Sequence, residues 1–348
     1  MSDTARRKQD HLAIALSGDV GFATLDTGLD RVRLRSRALP ERDLDDVDLS
    51  LTLWGRRLAA PLLVSCMTGG VSEAGAVNRA LAIAAQEHGV ALGLGSGRIL
   101  LDEPEAAVRA SFAVRDVAPD VLLLANLGAV QLRERGPDDC ARLVELCEAD
   151  VLVLHLNPVQ EAVQPEGDTT FAGVTEAIAQ VCAALDVPVV VKEVGFGLAP
   201  EDVAALVDAG VAGVDVAGAG GTNWARIEGR RDDRAGAVAA AFADWGWPTA
   251  EAVRRARDVL GRSRRRADVT LIGSGGLRHG VDAAKVLCLG ADLAGVARGF
   301  LRAAAAGPEA ATALVGVWVE QLRIAAWACG AGRVEDLNPA LLVSDPDR

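Results

Sequence analysis

Short apolar runs rich in β-branched residues alternate with alanine-rich stretches from Pro61 onwards. Such runs are typical of buried strands, whereas apolar residues at helical spacing are typical of helices packed on one face. The runs predict strands at 62–65, 90–94, 121–125, 151–154, 187–191, 213–216, 269–272 and 293–296. Helices are predicted between them at 78–87, 105–117, 138–148, 174–184, 200–208 and 281–289, and a further amphipathic helix at 309–329.

This alternation predicts an α/β fold, because parallel strands need helical crossovers that cover the faces of their sheet. Eight strand–helix repeats over about 250 residues is the size of a (β/α)8 TIM barrel. A doubly wound sheet is the alternative, and it is less favoured because no GxGxxG turn follows the first strand. We predict an N-terminal segment at 1–60, a barrel at 61–307 and a C-terminal helical extension at 308–348, whose helix packs outside the barrel or at a subunit contact.

Composition limits the partners of this chain. It has 348 residues and a formal net charge of −12, which argues against general nucleic-acid binding. No apolar stretch approaches the roughly 20 residues of a membrane span, and none of signal-peptide length follows the start. The six cysteines form no CxxC pair and no metal-ligand spacing, which indicates inert thiols in a reducing compartment. We expect a cytoplasmic protein without nucleic-acid or membrane partners.

Two further counts narrow the chemistry. Only three of the 36 basic residues are lysines, namely Lys8, Lys192 and Lys285. A lysine retained under such a bias indicates a role that the broad fork of arginine does not suit. Chance is the alternative, and we accept it for Lys285. The chain has no tyrosine, so a catalytic acid must be a histidine, a carboxylate, a lysine, a thiol or a cofactor.

Glycines or polar residues follow every predicted strand, at the end where (β/α)8 barrels build their active sites. The stretches are 67–70, 95–98, Asn126, 155–168, 192–195, 217–228, 273–278 and 297–298. The amino ends of the same strands carry ordinary turn residues. This asymmetry indicates an enzyme.

The stretch Ser274-Gly-Gly-Leu-Arg278 follows the seventh strand and precedes a helix. It offers free backbone N–H groups, no Cβ obstruction and a cation, which together predict a phosphate cradle. Ala297 and Arg298 at the eighth end match it, and barrels of this class often bind phosphate after strands seven and eight. A tight turn that needs two glycines is the alternative.

Four polar residues crowd the end of the fourth strand: His155, Asn157, Gln160 and Glu161. Buried polar groups without partners cost free energy, so this crowding indicates a function. A polar loop that caps the following helix is the alternative.

Two groups of cations are candidates for ligand contacts. Lys192, at the fifth end, is predicted to point into the barrel mouth, where its ammonium would stabilise a reduced flavin at the N1/O2 edge. Pairing with a barrel carboxylate is the alternative. Arg7, Lys8 and His11 lie close together near the start, and their spacing alone favours a solvated first helix turn over an anion clamp.

Together these residues make the chain similar to the FMN-dependent type II isopentenyl diphosphate isomerase family. The resemblance covers nearly the whole chain. The motifs that carry it are Met67-Thr-Gly-Gly70, His155-x-Asn-x-x-Gln160-Glu161 with Gly167-Asp168, Lys192-Glu-Val-Gly195, Gly220-Gly-Thr222 running to Arg226-Ile-Glu228, and Ser274-Gly-Gly-Leu-Arg278.

The resemblance implies an FMN site, an N-terminal segment that joins the substrate site, and Mg²⁺ held against a diphosphate by Glu161. The implied flavin contacts are Met67, Thr68, Gly69, Ser96, Asn126, Lys192 and Thr222, with the phosphate held at Gly276, Leu277, Arg278, Ala297 and Arg298. The implied substrate contacts are Arg7, Lys8, His11, Ser96, Arg98, His155, Asn157 and Gln160.

The implied activity interconverts isopentenyl and dimethylallyl diphosphate in isoprenoid biosynthesis. Reduced flavin would act as the acid/base, with NADPH as reductant. Gln160 would orient the substrate, Glu228 is a candidate in proton handling, and His155 and Lys192 complete the implied catalytic set. The family resemblance also implies a homo-oligomer, a tetramer or octamer.

Two positions depart from the family pattern. Gly97 stands where glutamine is common, which would change the substrate geometry but not the flavin site, and Asn223 stands where serine is frequent. Two alternatives stay open. One is an FMN-dependent oxidoreductase of the same barrel type, such as a 2-hydroxy-acid oxidase, which would have no use for the Arg7 cluster or Glu161. The other is a flavin-binding paralogue without isomerase activity.

Overall fold

The computed structural model describes residues 3–67, 69–70, 72–102, 105–263, 265 and 268–343. A hairpin of β1 (Leu51–Leu53) and β2 (Arg56–Leu58) precedes a closed barrel of parallel strands. The barrel strands follow one another in chain order: β3 (Leu62–Val64), β4 (Ala91–Ser96), β5 (Leu123–Gly128), β6 (Val151–Leu156), β7 (Val189–Glu193), β8 (Gly213–Asp215), β9 (Thr270–Ser274) and β10 (Leu293–Val296). The predicted TIM barrel is confirmed.

Helices surround the barrel and alternate with its strands. They are α1 (Asp3–Ser17), α2 (Ser72–His88), α3 (Arg98–Asp102), α4 (Ala106–Ala110), α5 (Pro137–Leu146), α6 (Pro158–Val163), α7 (Val174–Ala184), α8 (Pro200–Asp208), α9 (Trp224–Glu228), α10 (Asp233–Ala239), α11 (Thr249–Arg262), α12 (Gly280–Cys288), α13 (Arg298–Ala305) and α14 (Pro308–Ala328). One-turn 3-10 helices lie at Leu29–Arg31, Leu44–Asp46, Ala129–Arg133, Ala240–Phe242, Val334–Asp336 and Pro339–Leu341.

Apolar side chains fill the interior of the barrel towards the amino ends of its strands. Leu63, Val153, Val190 and Ile272 belong to one buried cluster, and the hairpin packs Leu58 against it. Burial of this cluster closes the amino end, and each such side chain contributes roughly 1.5–3 kcal/mol. The polar groups of the barrel therefore gather at the carboxyl end.

Several strands extend further than their apolar runs predict. Asn126, His155 and Lys192 lie within β5, β6 and β7, and His155 pairs in register with both Gly128 and Lys192. Backbone pairing continues here although the side chains become polar, because these side chains point at the cavity rather than into the apolar core. The residues predicted to follow the strands are therefore held on the strands themselves.

Two helices differ from their predictions. The pattern at 105–117 gives only α4, because the Ser111 hydroxyl donates to the Val108 carbonyl and accepts from the Gly70 N–H, which competes with helix continuation. The start of the predicted N-terminal segment forms α1, which is longer than the single solvated turn expected there and has Leu12 and Ala15 buried.

The C-terminal helix α14 packs on the outside of the barrel against α2, α12 and α13, as predicted. No helix within the described ranges is both long and apolar enough to cross a membrane. All six cysteines are free, and burial raises the pKa of Cys140 and Cys147 to about 12. These thiols stay protonated, as the prediction of inert cysteines requires.

Candidate active site

A cavity of about 450 Å³ opens at the carboxyl ends of the barrel strands. The predicted site residues that line it are Arg7, Lys8, His11, Met67, Gly69, Ser96, Arg98, Asn126, His155, Asn157, Gln160, Glu161, Lys192, Thr222, Gly276, Leu277, Arg278, Ala297 and Arg298. Thr68 lies outside the described residues. Glu228 lies behind Gln160 rather than on the cavity wall.

At one end of the cavity, two glycine-rich loops meet backbone to backbone. A Cβ on Gly221 would lie 2.4 Å from the backbone nitrogen of Gly276. A Cβ on Gly275, which has a φ of +109°, would lie 2.2 Å from the carbonyl oxygen of Gly218. Larger residues would force the loops apart, so the glycines keep both loops close enough to wall the same space.

The same end presents backbone donors. The N–H groups of Gly276 and Leu277 have no hydrogen-bond acceptor among the described residues. Beside them, α13 begins at Arg298, and the preceding Ala297 supplies no side-chain cap. Free N–H groups and a helix N-terminus attract anions. The arrangement fits a phosphate group such as that of FMN.

The cation predicted for this cradle is engaged elsewhere. The Arg278 guanidinium pairs with Asp30 and Asp282, and its backbone N–H donates to Asp282 Oδ2 at 3.1 Å. The guanidinium of Arg298 donates from Nε to the carbonyl oxygen of Ala15 at 2.8 Å. The sequence predicted free backbone N–H groups and a cation in this loop, and the structure pairs that cation with carboxylates. The arginines tie the cradle to neighbouring segments, and the free donors are backbone N–H groups.

Polar side chains line the middle of the cavity on β5, β6 and β7. Lys192 Nζ donates to the Glu193 carbonyl oxygen at 2.6 Å, and His155 Nδ1 lies 2.8 Å from Asn126 Oδ1. Burial, followed by the charges of Lys192 and Lys8, lowers the pKa of His155 to about 3. The imidazole is therefore neutral at physiological pH and carries its proton on Nδ1, because an amide oxygen only accepts.

A buried acid lies beside Lys192 on the next strand. Asp215 pairs in register with Lys192 and accepts a hydrogen bond from Ser274 Oγ at 2.5 Å. Burial raises the pKa of Asp215, while Lys192 opposes that rise. Lys192 makes no ion pair with a carboxylate of the described chain, so its ammonium stays available to a ligand with negative charge. This cation fits the anionic edge of a reduced flavin.

The far end of the cavity is a network of side chains around Glu228. Gln160 Nε2 donates to Glu228 Oε1 at 2.8 Å, and His11 Nε2 lies 2.8 Å from the same oxygen. Asn157 Nδ2 donates to Gln160 Oε1 at 3.2 Å. Burial alone would raise the pKa of Glu228, but hydrogen bonds from His11, Gln160 and Arg231 lower it below its usual range. The network therefore holds a buried anion.

The polar stretch after β6 does not cap a helix through its side chain. Asn157 precedes α6 without a capping hydrogen bond, and its Nδ2 instead donates to Glu161 Oε1 at 2.8 Å. Glu161 Oε2 accepts from the Asp168 N–H at 2.8 Å. A Cβ on Gly167 would lie 1.8 Å from the Glu161 carbonyl oxygen, so the loop needs glycine there. The capping alternative is wrong.

Glu161 is also the candidate metal ligand. No group of three or more acidic, histidine or cysteine residues that would hold a metal exists in the described parts of the chain. A single carboxylate fits Mg²⁺ when diphosphate oxygens and waters complete its octahedron, because this ion usually keeps several waters.

The N-terminal cations lie inside the cavity and not on a solvated helix turn. Lys8 Nζ donates to the Ser96 carbonyl oxygen at 2.8 Å. Burial, followed by the charges of Arg7 and Arg98, lowers the pKa of Lys8 to about 7. His11 packs edge-on against Trp224 with ring centroids 5.4 Å apart. The solvated-turn interpretation is wrong for these residues, because all three line the cavity.

The sequence did not reveal four residues that shape the site, namely Gln164, Glu193, Trp224 and Arg231. Glu193 Oε2 accepts from the N–H groups of Gly195 and Phe196 at 2.6 and 2.5 Å, which fixes the loop after β7. Burial raises the pKa of Glu193 to about 7. Glu193 and Trp224 lie within motifs of the family resemblance and Gln164 lies in the polar stretch 155–168, whereas no sequence signal indicates Arg231.

The two departures from the family pattern face the protein interior. A Cβ on Gly97 would lie 2.4 Å from Leu143 Cδ1 of α5, away from the cavity. Asn223 is fully buried, caps α9 by accepting from the Arg226 N–H at 3.1 Å, and donates to the Phe242 carbonyl oxygen. The interpretation that Gly97 leaves out a side chain near the substrate is wrong, and both positions serve packing.

Comparison with known proteins gives one consistent family. A family model described as FMN-dependent dehydrogenase matches residues 149–344. A relative from Xanthobacter autotrophicus named isopentenyl-diphosphate delta-isomerase is 51% identical over 97% of this chain and 97% of its own length. Relatives of the same name from Stutzerimonas stutzeri and Nostoc are 48% and 44% identical, each over 97% of this chain and 96% and 95% of their own lengths.

Solved structures with the same architecture are more distant. A mandelate oxidase variant superposes with a TM-score of 0.66 at 22% identity, over 99% of both chains. A flavocytochrome b2 variant with sulfite bound superposes with a TM-score of 0.71 at 18% identity, over 96% of this chain and 82% of its own. At this identity the likeness concerns the fold.

Proposed function

Because the chain belongs to the isopentenyl-diphosphate delta-isomerase family, we propose that it interconverts isopentenyl diphosphate and dimethylallyl diphosphate with reduced FMN. The observation that carries this proposal is a single cavity with two sites for anions at its ends. One is the backbone cradle at Gly276 and Leu277, and the other is the cation cluster of Arg7, Lys8 and Arg98. A flavin phosphate and a substrate diphosphate would use one each.

The reaction adds a proton at one carbon and removes one at another, without net oxidation. When bound, reduced FMN would supply acid/base chemistry and an electron-rich ring. Lys192 would stabilise the negative charge of that ring, since its ammonium lies in a buried site without an ion-paired carboxylate. A fixed charge in a water-poor cavity stabilises developing charge more strongly than it does in water.

At the reacting end, Gln160 and Glu228 would orient the substrate and handle protons. Glu228 Oε1 accepts from Gln160 Nε2, which leaves one N–H and one lone pair of the Gln160 amide for a ligand. His155 is neutral and offers a lone pair on Nε2 to the cavity. None of these groups needs to change its charge to bind a neutral hydrocarbon chain.

At the diphosphate end, Arg7, Lys8, His11 and Arg98 would hold the phosphates, and Glu161 would hold a Mg²⁺ ion that offsets their negative charge. Glu161→Gln should weaken the Mg²⁺ dependence of turnover far more than FMN binding, because Glu161 lies across the cavity from the phosphate cradle. Equal loss of both would indicate a structural role. The matched control is Glu176→Gln on the outward part of α7.

The proposal extends to NADPH as the reductant, a cytoplasmic location and a homo-oligomer. Exposed apolar side chains support assembly: Val317 and Ile324, seven positions apart on α14, are 46% and 43% exposed. Light scattering on the purified protein tests the oligomer. A monomer at micromolar concentration would contradict that part of the proposal.

A second candidate is an FMN-dependent oxidoreductase acting on a 2-hydroxy acid. The FMN-dependent dehydrogenase family model and the fold of the oxidases favour it. It gives no role to the half-buried cations Arg7 and Lys8 or to the carboxylate of Glu161, which is held by Asn157 and the Asp168 N–H. The alternative of a flavin-binding paralogue without isomerase activity rests on Gly97, where a Cβ would face Leu143 rather than the cavity.

One anaerobic experiment separates the three. The flavin is reduced once, excess isopentenyl diphosphate is added, and products are counted per flavin. Many turnovers with the flavin still reduced support the isomerase. Oxidation that keeps pace with product supports the oxidoreductase, and no product supports the inactive paralogue. Heat-released cofactor should run as FMN, because the cavity has one phosphate cradle.

The role of Lys192 has its own test with a matched control. Lys192→Arg should lower turnover by roughly 100-fold or more and weaken FMN binding, because the planar fork does not fit a buried site shaped for an ammonium. Lys285→Arg makes the same change on α12, away from the cavity, where Lys285 Nζ donates to the Leu29 carbonyl oxygen and lies 3.7 Å from Asp282 Oδ1. Equal behaviour of the two variants would make Lys192 incidental.

A further inference from the structure

Arg231 lies behind the cavity wall, three residues after Glu228. Its Nη1 is 2.8 Å from Glu228 Oε2, and its side chain is 12% exposed. The same guanidinium reaches Glu166 Oε2 at 3.5 Å and Asp10 Oδ2 of α1 at 3.6 Å. Arg231 therefore joins the buried carboxylate to α1 and to the segment after α6.

The two oxygens of Glu228 have separate partners. Oε1 accepts from Gln160 Nε2, and with its amide turned so that both of its ends are satisfied, Gln164 donates to Oε1 at 3.2 Å and accepts from Arg7 at 3.0 Å. His11 Nε2 lies 2.8 Å from the same oxygen. Oε2 has Arg231 as its cation. Gln160, Gln164 and Arg231 all donate, so the site suits a carboxylate and not a carboxylic acid.

The charge of Glu228 decides how Gln160 is oriented. An ionised carboxylate only accepts, so it selects the NH₂ side of the amide and leaves Gln160 Oε1 to accept from Asn157. A protonated Glu228 would donate, and the amide would turn over. The reacting end would then meet the substrate with the opposite polarity.

We propose that Arg231 is a positioning residue that keeps Glu228 ionised and thereby fixes the orientation of the Gln160 amide toward the substrate. The inference rests on the proposed function. The charged and titratable groups that face Glu228 are His11 from α1 and Arg231. Asp10, Glu166 and Arg7 lie one contact further out. Of these, Arg231 is the permanent cation in direct contact, because arginine does not lose its proton in proteins.

A spectroscopic test does not depend on turnover. Infrared difference spectra of the flavin-loaded protein across a pH titration detect the carbonyl band of a protonated buried carboxyl. Arg231→Met should show an additional carbonyl band at neutral pH, beyond the signal of Glu193 and Asp215 that it shares with wild type, whereas Arg231→Lys should not. The additional band should disappear in the double variant Arg231→Met/Glu228→Gln, which assigns it. No additional band in Arg231→Met at neutral pH would overturn the proposal.

The kinetic readout is the pH profile. Arg231→Met should lower kcat by about tenfold or more near pH 6, with a smaller effect on KM, and the deficit should shrink as pH rises and Glu228 ionises. Arg231→Lys should recover most of the loss. The exposed Arg234→Met is the matched control. A deficit that is the same at every pH would mean that Arg231 only supports the fold.

Failure of the two proposals can be told apart. If wild type does not isomerise isopentenyl diphosphate, the proposed function fails while the infrared titration still decides the role of Arg231. If wild type isomerises and Arg231→Met shows neither the band nor the shifted profile, only the role of Arg231 is refuted. If Arg231→Met does not fold, Arg231→Lys and Arg231→Gln carry the same comparison.

Discussion

The two ends of the cavity are built by different means. The phosphate end, where we propose that the FMN phosphate binds, consists of backbone: glycine loops after β8 and β9, two free N–H groups and the start of α13. The substrate end, where we propose that the diphosphate binds, consists of side chains whose partners are far apart in the chain. Lys8 and Ser96 are 88 positions apart, and Gln160 and Glu228 are 68 positions apart.

This difference sets what each end responds to. A backbone site depends on the space that glycine leaves open, so added volume should damage it while pH should not. A side-chain network depends on charge, so it should respond to protonation and to loss of a single partner. The two ends should therefore respond to different substitutions.

Deleting residues 1–11 should have the largest effect, and it should fall on the substrate end alone. Loss of Arg7 and Lys8 removes two charged hydrogen-bond donors, each worth about 1.5–3 kcal/mol, so kcat/KM should fall about 10²–10⁴-fold. The flavin should stay bound, because Gly276 and Leu277 are untouched. Absorbance spectra and steady-state kinetics measure both.

Buried Leu12 and Ala15 remain in that truncated protein, so the barrel should keep its stability. Loss of flavin together with activity would show that the two ends are one unit. Full activity would show that turnover does not depend on the N-terminal cations.

Gly221→Ala should damage the phosphate end. The new Cβ would lie 2.4 Å from the Gly276 nitrogen, and backbone has no rotamer by which to move aside. The expected cost is about 1–3 kcal/mol of stability together with weaker FMN binding. Gly261→Ala on α11 is the control, since nothing lies within 4 Å of its Cβ, and it should not lose stability. Unchanged FMN affinity in Gly221→Ala would refute the space argument.

The barrel and the glycine loops are the features that the sequence predicts best. The barrel could be predicted because parallel strands are buried on both faces and read as continuous apolar runs. The glycine cradle could be predicted because its loop geometry is local. The ends of β5 to β7 were placed too early, because polar Asn126, His155 and Lys192 interrupt the apolar runs while pairing continues.

The side-chain contacts at the substrate end could not be predicted from residue spacing alone. Nothing in the local sequence around His11 or Arg231 indicates that both contact Glu228, since those contacts exist only after the barrel closes. The ion pair of Arg278 with Asp30 could not be predicted for the same reason, because it also joins distant segments. The family resemblance supplied Gln160 and Glu228, whose pairing the structure then gives.

Diphosphate binding should take up a proton at the substrate end. The pKa of Lys8 is lowered to about 7, so at higher pH this lysine is mostly neutral in the free protein. An anion beside it raises that pKa again, so binding at about pH 8 should take up about one proton, and affinity should fall as pH rises above 7. Titration calorimetry with inorganic diphosphate in two buffers of different ionisation enthalpy measures the uptake.

Lys8→Met should abolish this proton uptake and flatten the pH dependence. Zero uptake in wild type would mean that Lys8 is charged before the ligand arrives. Equal proton uptake in Lys8→Met would assign the proton to another group. The pH dependence of binding would then not arise from Lys8.

Gly97→Ala should have the smallest effect, and it tests whether a glycine between the cavity-lining residues Ser96 and Arg98 belongs to either end. Its Cβ would meet Leu143 Cδ1 at 2.4 Å, which is the tip of a buried but flexible side chain. Because Leu143 has a rotamer by which to yield, the cost should be about 1 kcal/mol, without a change in KM or FMN affinity. Chemical denaturation gives the stability.

In the double variant Gly97→Ala/Leu143→Ala the two costs should not add, because the new methyl group occupies space that Leu143 leaves. A raised KM with unchanged stability would instead place position 97 at the substrate.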